Sequence, residues 1–183
     1  MKYYYKYDNG IEIQIWEDEI PNQQTQLVNF IHKEYSGKIP ILNKNKKLAV
    51  EFLLPKNISN YAMLGLIYEA NNILQTEIKI DISDYEEGEF ENNIAMKPDY
   101  IHKGIPEDYV EGIEESIANI NERNLLPKGS YEFCVGAHGE VGSSEMSFML
   151  TCNILLNLLS ITEYTEEKVK EIIQNEIINI KNK

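Results

Sequence analysis

Two cysteines, one arginine, six prolines and no long uninterrupted apolar run are the shortages of this 183-residue chain. Cys134 and Cys152 are too few for a disulfide-stapled scaffold. Met1-Lys2-Tyr3-Tyr4-Tyr5 opens no signal peptide, so reduced thiols and a cytoplasmic location are expected. The longest apolar stretch, Met146 to Leu159, is broken by Ser147, Thr151, Asn153 and Asn157. It falls short of the ~20 residues that cross hydrocarbon, and reads as a buried core helix with no membrane role. With Arg123 the sole arginine, and 17 Lys plus Arg against 30 Asp plus Glu, binding to DNA across a broad face is excluded. His32, His102 and His138 lack paired metal spacing, and two cysteines do not complete a zinc site. A calcium loop starting at Asp81 or Asp84 would put Tyr85 or Gly88 where a ligand oxygen is required. There is no Gly-x-x-x-x-Gly-Lys-Ser/Thr phosphate loop. Neither a cofactor nor a metal is expected.

What the chain does have is enough apolar content, 43%, to build a core. At this length folding buries ~70% of the unfolded surface. It also has a localised charge. From Asp81 to Glu122 there are 13 acidic residues against Lys97 and Lys103, which accounts for −11 of the net −13, while the rest is nearly balanced. A field of one sign confined to one region points to a basic protein partner more than to a phosphate backbone, although acidic runs are more commonly solvated faces that keep a protein soluble and specify no partner.

Tyr3 to Tyr7 and Ile11 to Trp16, joined by Asp8-Asn9-Gly10, predict a β-hairpin, with Ile11, Ile13 and Ile15 on a buried face. Leu27, Val28, Ile31 and Tyr35 recur at helical spacing and predict a short helix ending before Gly37. Leu48 to Leu54 predicts a strand stopped by Pro55. A second helix, capped by Asn57 or Ser59, is expected to turn Met63, Leu64, Ile67, Tyr68 and Leu74 inward. Ile78, Ile80 and Ile82 alternate as a strand, followed by an acidic turn at Asp84 to Gly88 and a weaker strand at Phe90 to Met96. Ile105-Pro106-Glu107-Asp108 starts a helix lined by Tyr109, Val110, Ile113, Ile117 and Ile120. Tyr131 to Val135 predicts a strand and Ser143 to about Leu159 the core helix. Thr165-Glu166-Glu167 opens a last helix, with Lys181 and Lys183 suiting its negative end. The sum is an α+β fold, a mostly antiparallel sheet covered by helices.

Gly104-Ile105-Pro106-Glu107-Asp108-Tyr109-Val110-Glu111-Gly112-Ile113, followed by Val141-Gly142-Ser143-Ser144-Glu145-Met146-Ser147-Phe148, resembles domain IV of bacterial elongation factor G. The order and spacing match best over residues 104 to 150, with His138 at the place of the family's histidine, and extend over about 76 to 160. The resemblance implies strands covering two helices, an unusual left-handed strand-helix-strand crossover, no catalytic residues, and a ribosome-facing role for the loops at one end. It divides the chain into an N-terminal α+β segment, 1–75, which extends the sheet or forms a small subdomain, and a domain-IV-like region, 76–183. There are departures. The family's basic, aromatic tip loop has no counterpart around Asn71 to Thr76, Gly142 stands where the family has an Asp, and the other tip loop, Asn121 to Gly129, carries Arg123 and Lys128 beside Glu122.

Other constellations read as structure. Glu145, three after Gly142, is expected to cap a helix start and not to act beside Ser143 and Ser144 as an acid. The Gly136 to Gly142 loop before that helix has amides for an anion but also Glu140 and Glu145 to repel one. Cys134 and His138 would need a third group to make a nucleophile, and a core thiol is the expectation. The expected function is therefore a non-enzymatic, acidic protein-binding module, with an immunity or inhibitor protein against a basic toxin or nuclease as its particular form. The alternative is a ribosome-associated translation accessory factor. The partner-binding candidates are Asp84, Glu86, Glu87, Glu89, Glu91, Glu111, Glu114 and Glu115.

Overall fold

The computed structural model describes residues 1–55, 61–71 and 74–181. The opening strands are β1 (Lys2–Lys6) and β2 (Glu12–Glu17), followed by β3 (Leu27–Tyr35), β4 (Lys46–Leu53), β5 (Tyr61–Glu69) and β6 (Thr76–Ser83). Next come β7 (Ile101–Lys103), a 3-10 turn (Glu107–Tyr109) running into α1 (Val110–Glu122), β8 (Ser130–Gly139), α2 (Glu145–Leu159) and α3 (Glu166–Lys181). The eight strands form one sheet in the order β1-β2-β4-β5-β8-β6-β3, with β7 also on β8. All pairs are antiparallel except β6 with β8. That parallel pair is bridged by the long connection containing the acidic turn, β7 and α1. The fold is α+β.

The alternation in β2, β4 and β6 sends Ile13, Ile15, Val50, Phe52, Ile78 and Ile80 to the face that carries the three helices. Ile113, Ile117 and Ile120 of α1, Phe148 to Leu159 of α2, and Val169 and Ile173 of α3 meet them there. The helices pack closely because Gly112 of α1 lies against the backbone of α2: a β-carbon on it would come 2.4 Å from the Glu145 carbonyl oxygen. Ser116 Oγ donates to Asn153 Oδ1 at 2.7 Å across the same contact. The other face of the sheet has a smaller core of Trp16, Ala49, Leu53, Tyr61, Met63, Val135 and Ala137. It is roofed by the irregular segment after β6, through Phe90, Ala95 and Ile101.

Four sequence expectations need correction. Leu27 to Tyr35 is an edge strand, because a bulge between Leu27 and Asn29 shifts the side-chain phase and makes a strand pattern look helical. Residues 61–69 are the strand β5, buried on both faces between β4 and β8, so alternation is replaced by a continuous apolar run. The caps proposed at Asn57 and Ser59 lie outside the described residues, as does Lys183, and Leu74 is 96% exposed instead of inward. Phe90 to Met96 is not a strand: the Phe90 amide donates to the Ile101 carbonyl, and Glu89 makes only an isolated bridge to His102. The cap of α2 is Ser144 and not Gly142. Its Oγ accepts from the Ser147 amide at 3.2 Å, and Ser147 Oγ accepts from the Ser144 amide at 2.9 Å, so Ser147 fills the place expected of Glu145.

Candidate partner-binding surface

The acidic segment starts where β6 ends. Asp84 to Gly88 turns back on itself and is held on three sides. Glu87 Oε1 accepts from the Gln26 amide at 2.6 Å, the Glu87 carbonyl lies 2.9 Å from His102 Nδ1, and the Lys103 amide donates to the Gly88 carbonyl at 2.9 Å. The Tyr85 ring packs on His138, with centroids 4.5 Å apart, and faces Tyr109 at the start of α1 at 6.5 Å. This packing brings Asp84 alongside Glu107 and Asp108. With Val28, Ile82, Ser83, Tyr85 and Pro106 the three acids line an open pocket of about 240 Å³.

The eight sequence candidates separate in space. Asp84 is in the pocket wall and Glu87 ties the turn to the entry of β3. Glu86, Glu89 and Glu91 are exposed along the turn and the segment after it. Glu114 pairs with Lys33 of β3, and the contact raises the affinity of the Lys33 ammonium for its proton. Glu111 and Glu115, also exposed, align with Asp108 and Glu122 along the outer face of α1, a line of acids about 20 Å long at 1.5 Å per residue. Glu107 and Asp108 were legible only as helix-start acids, and Val28 not at all as a surface residue. The pocket joins segments far apart in the chain, and no local spacing signals it.

The remaining candidates are structural. The anion that the 136–142 loop could take is already supplied by the chain: Asp99 Oδ1 accepts from the Val141 amide at 3.0 Å and Asp99 Oδ2 from the Gly142 amide at 2.8 Å. Ser143 Oγ accepts from the Gly139 amide and donates to the Tyr61 carbonyl. Cys134 and His138 occupy different surroundings. Cys134 borders a small pocket with Thr25, Leu27 and Asp81, and burial pushes its thiol up to about 11. His138 is stacked on His102, with centroids 5.4 Å apart, and burial followed by the neighbouring imidazole brings it down to about 4. A thiol held neutral is a weak nucleophile, and an imidazole of low proton affinity is a weak base to activate it. Among the described residues no group of three or more His, Cys, Asp or Glu side chains is placed to hold a metal ion, and no helix is long and apolar enough to cross a membrane.

No protein-family model, curated protein or solved structure matches the chain.

Proposed function

We propose that the chain is a non-catalytic, cytoplasmic protein-binding module that engages a basic protein through the surface built by the acidic turn and α1. The observation that carries this reading is the gathering of Asp84, Glu107 and Asp108 around one pocket with an apolar wall. Acids spread for solubility alone have no reason to converge from two segments. A concentrated negative field steers a cationic partner and speeds encounter, and the pocket is of a size to take a lysine or arginine side chain. An immunity or inhibitor protein that covers the phosphate-binding cleft of a toxin or nuclease is the particular form that suits these properties.

The resemblance to domain IV of elongation factor G supports a second reading, a translation accessory factor, and the β6-α1-β8 unit with parallel strands has the element order of a strand-helix-strand crossover. Against it stands Arg123. The one arginine in the stretch corresponding to a tip loop is engaged by Glu176 and does not present its guanidinium freely to phosphate.

The deciding experiment is affinity purification of the tagged protein from its own cells at low and then moderate salt, followed by reconstitution with whatever protein co-elutes. A single basic protein, bound directly and released by salt, is the expected result. It should be lost from a variant carrying Asp84→Asn, Glu107→Gln and Asp108→Asn together. Co-sedimentation with ribosomes would favour the translation reading. Failure to bind any basic protein at low salt would end the first one.

A further inference from the structure

We propose that β3 is an acceptor edge on which an extended, basic segment of the partner adds as the next strand of the sheet. This rests on the reading of a basic partner and specifies how that partner docks. β3 is the last strand in the sheet order and, among the described residues, pairs only with β6. Its nine residues offer about 30 Å of backbone edge. Sheets ordinarily blunt such an edge with charge, proline or brevity. The opposite edge, β1, follows that practice: it is five residues long, and its Lys6 is paired with Glu12. On β3 the charged residues Lys33 and Glu34 are confined to the second half. The first half has no charge, and Leu27, Val28 and Phe30 are 53%, 61% and 53% exposed. The Phe30 amide is met by the Oδ1 of its neighbour Asn29 at 2.8 Å, a local substitute that an incoming carbonyl can displace.

Charge selects the occupant. The entry of β3 is tied to the acidic turn through the Gln26 amide and Glu87, and Val28 itself lines the pocket of Asp84, Glu107 and Asp108. Leu27 borders the separate pocket beside Cys134, and Phe30 lies under the Lys79 ammonium at 5.7 Å. A strand laid against this edge meets the carboxylates of Asp84, Glu107 and Asp108 on one side, and on the other the apolar Leu27 and Phe30, the latter beneath the Lys79 ammonium. Alternating cationic and apolar residues therefore fit it, with main-chain bonds giving affinity and the pocket giving specificity. A second copy of the chain is opposed, because each copy carries the same net charge of −13.

The probe is an eight-residue capped peptide alternating lysine and valine, titrated into the isotope-labelled protein at low salt. Binding is expected, with shifts centred on β3, β6 and the acidic turn. N-methylation of one set of alternate peptide amides should weaken binding at least tenfold, whereas methylation of the other set, which faces solvent, should not. Val28→Lys, and separately the combined Asp84→Asn, Glu107→Gln and Asp108→Asn variant, should each weaken it at least tenfold. If both methylated peptides bind as well as the parent, strand addition is wrong while the acidic surface stands. If the parent peptide fails to bind at millimolar concentration in low salt, both readings fall. A concentration-dependent dimer abolished by Val28→Lys would assign the edge to a second copy and overturn the proposal.

Discussion

Glu176 of α3, 1% exposed, holds Arg123 through two parallel hydrogen bonds, Nη1 to Oε2 at 2.9 Å and Nη2 to Oε1 at 2.8 Å. The same carboxylate accepts from Asn157 Nδ2 at 3.1 Å, so one buried group joins the end of α1 to α2 and α3. Removing one member of such a pair strands a charge in the interior, whereas replacing both with apolar residues is often tolerated. Glu176→Ala is expected to cost about 3 kcal/mol in urea denaturation, at the low end for buried pairs because Arg123 is partly exposed. The double variant Arg123→Met with Glu176→Leu should recover most of that loss. A double variant as unstable as the single one would show that the pair has no such role.

Two buried titratable groups pull the pH dependence of stability in opposite directions. Glu51 accepts from Gln14 Nε2 at 3.1 Å, Tyr61 Oη at 2.8 Å and the Ile94 amide at 2.9 Å. Burial nevertheless pushes its carboxyl up to about 7, against an ordinary 4.5. The fold thus holds that proton more tightly than the unfolded chain does. The favourable contribution is complete below about 4.5 and is lost as pH rises through about 7, a swing of about 3 kcal/mol. His138 does the reverse. Brought down to about 4 from 6.5, it contributes stability above 6.5 that is lost as pH falls towards 4, again about 3 kcal/mol.

Between pH 4.5 and 6.5 the two slopes nearly cancel in the native chain. Glu51→Gln, with the Gln14 amide flipped to accept, should leave stability rising with pH over that range and higher than native at pH 8. His138→Phe should leave it falling. Denaturation midpoints measured from pH 4 to 8 decide the matter, and parallel curves for all three proteins would refute the assignment.

Gly112→Ala reverses an ordinary rule. In an exposed helix the change is favourable by about 1 kcal/mol. Here the added methyl would meet the Glu145 carbonyl oxygen at 2.4 Å and Glu145 Cγ at 2.9 Å, so a loss of about 1–3 kcal/mol is expected from forcing α1 and α2 apart. A stabilised variant in thermal denaturation would contradict that close approach.

Asp99 holds the loop before α2 through the amides of Val141 and Gly142. Asp99→Ala frees the Val141 and Gly142 amides, and hydrogen exchange at those two positions should speed up at least tenfold while the α2 amides keep their protection. Unchanged exchange at both would mean that the carboxylate does not hold the loop.

The sequence made much of this architecture legible. The 3.6-residue stripes of α1 and α3 and the strict alternation of β6 each face a single core, and such elements advertise their type. β5 misled because both of its faces are covered, and Gly65, wedged between the β-carbons of Ala49 and Val135, leaves no polar position to mark an outer side. β3 misled because of its bulge. The acids of the candidate surface were visible as a density, but their division into a pocket, a helix stripe and an ion pair with Lys33 depends on contacts that the chain makes only after folding.

The position of β8 has a kinetic corollary. It lies between β5 and β6, yet it is made some sixty residues after the first of them, while β1, β2, β4 and β5 form an antiparallel meander once the 18–45 segment, which carries β3, has looped out between β2 and β4. Until β8 arrives that meander ends in an open, almost wholly apolar strand, the kind of intermediate that recruits chaperones or self-associates. Insertion of β8 is thus the event that closes the sheet. Substitutions in Tyr131 to Val135 should slow refolding more than equally destabilising ones in α3, with residual aggregation rising in step with the delay.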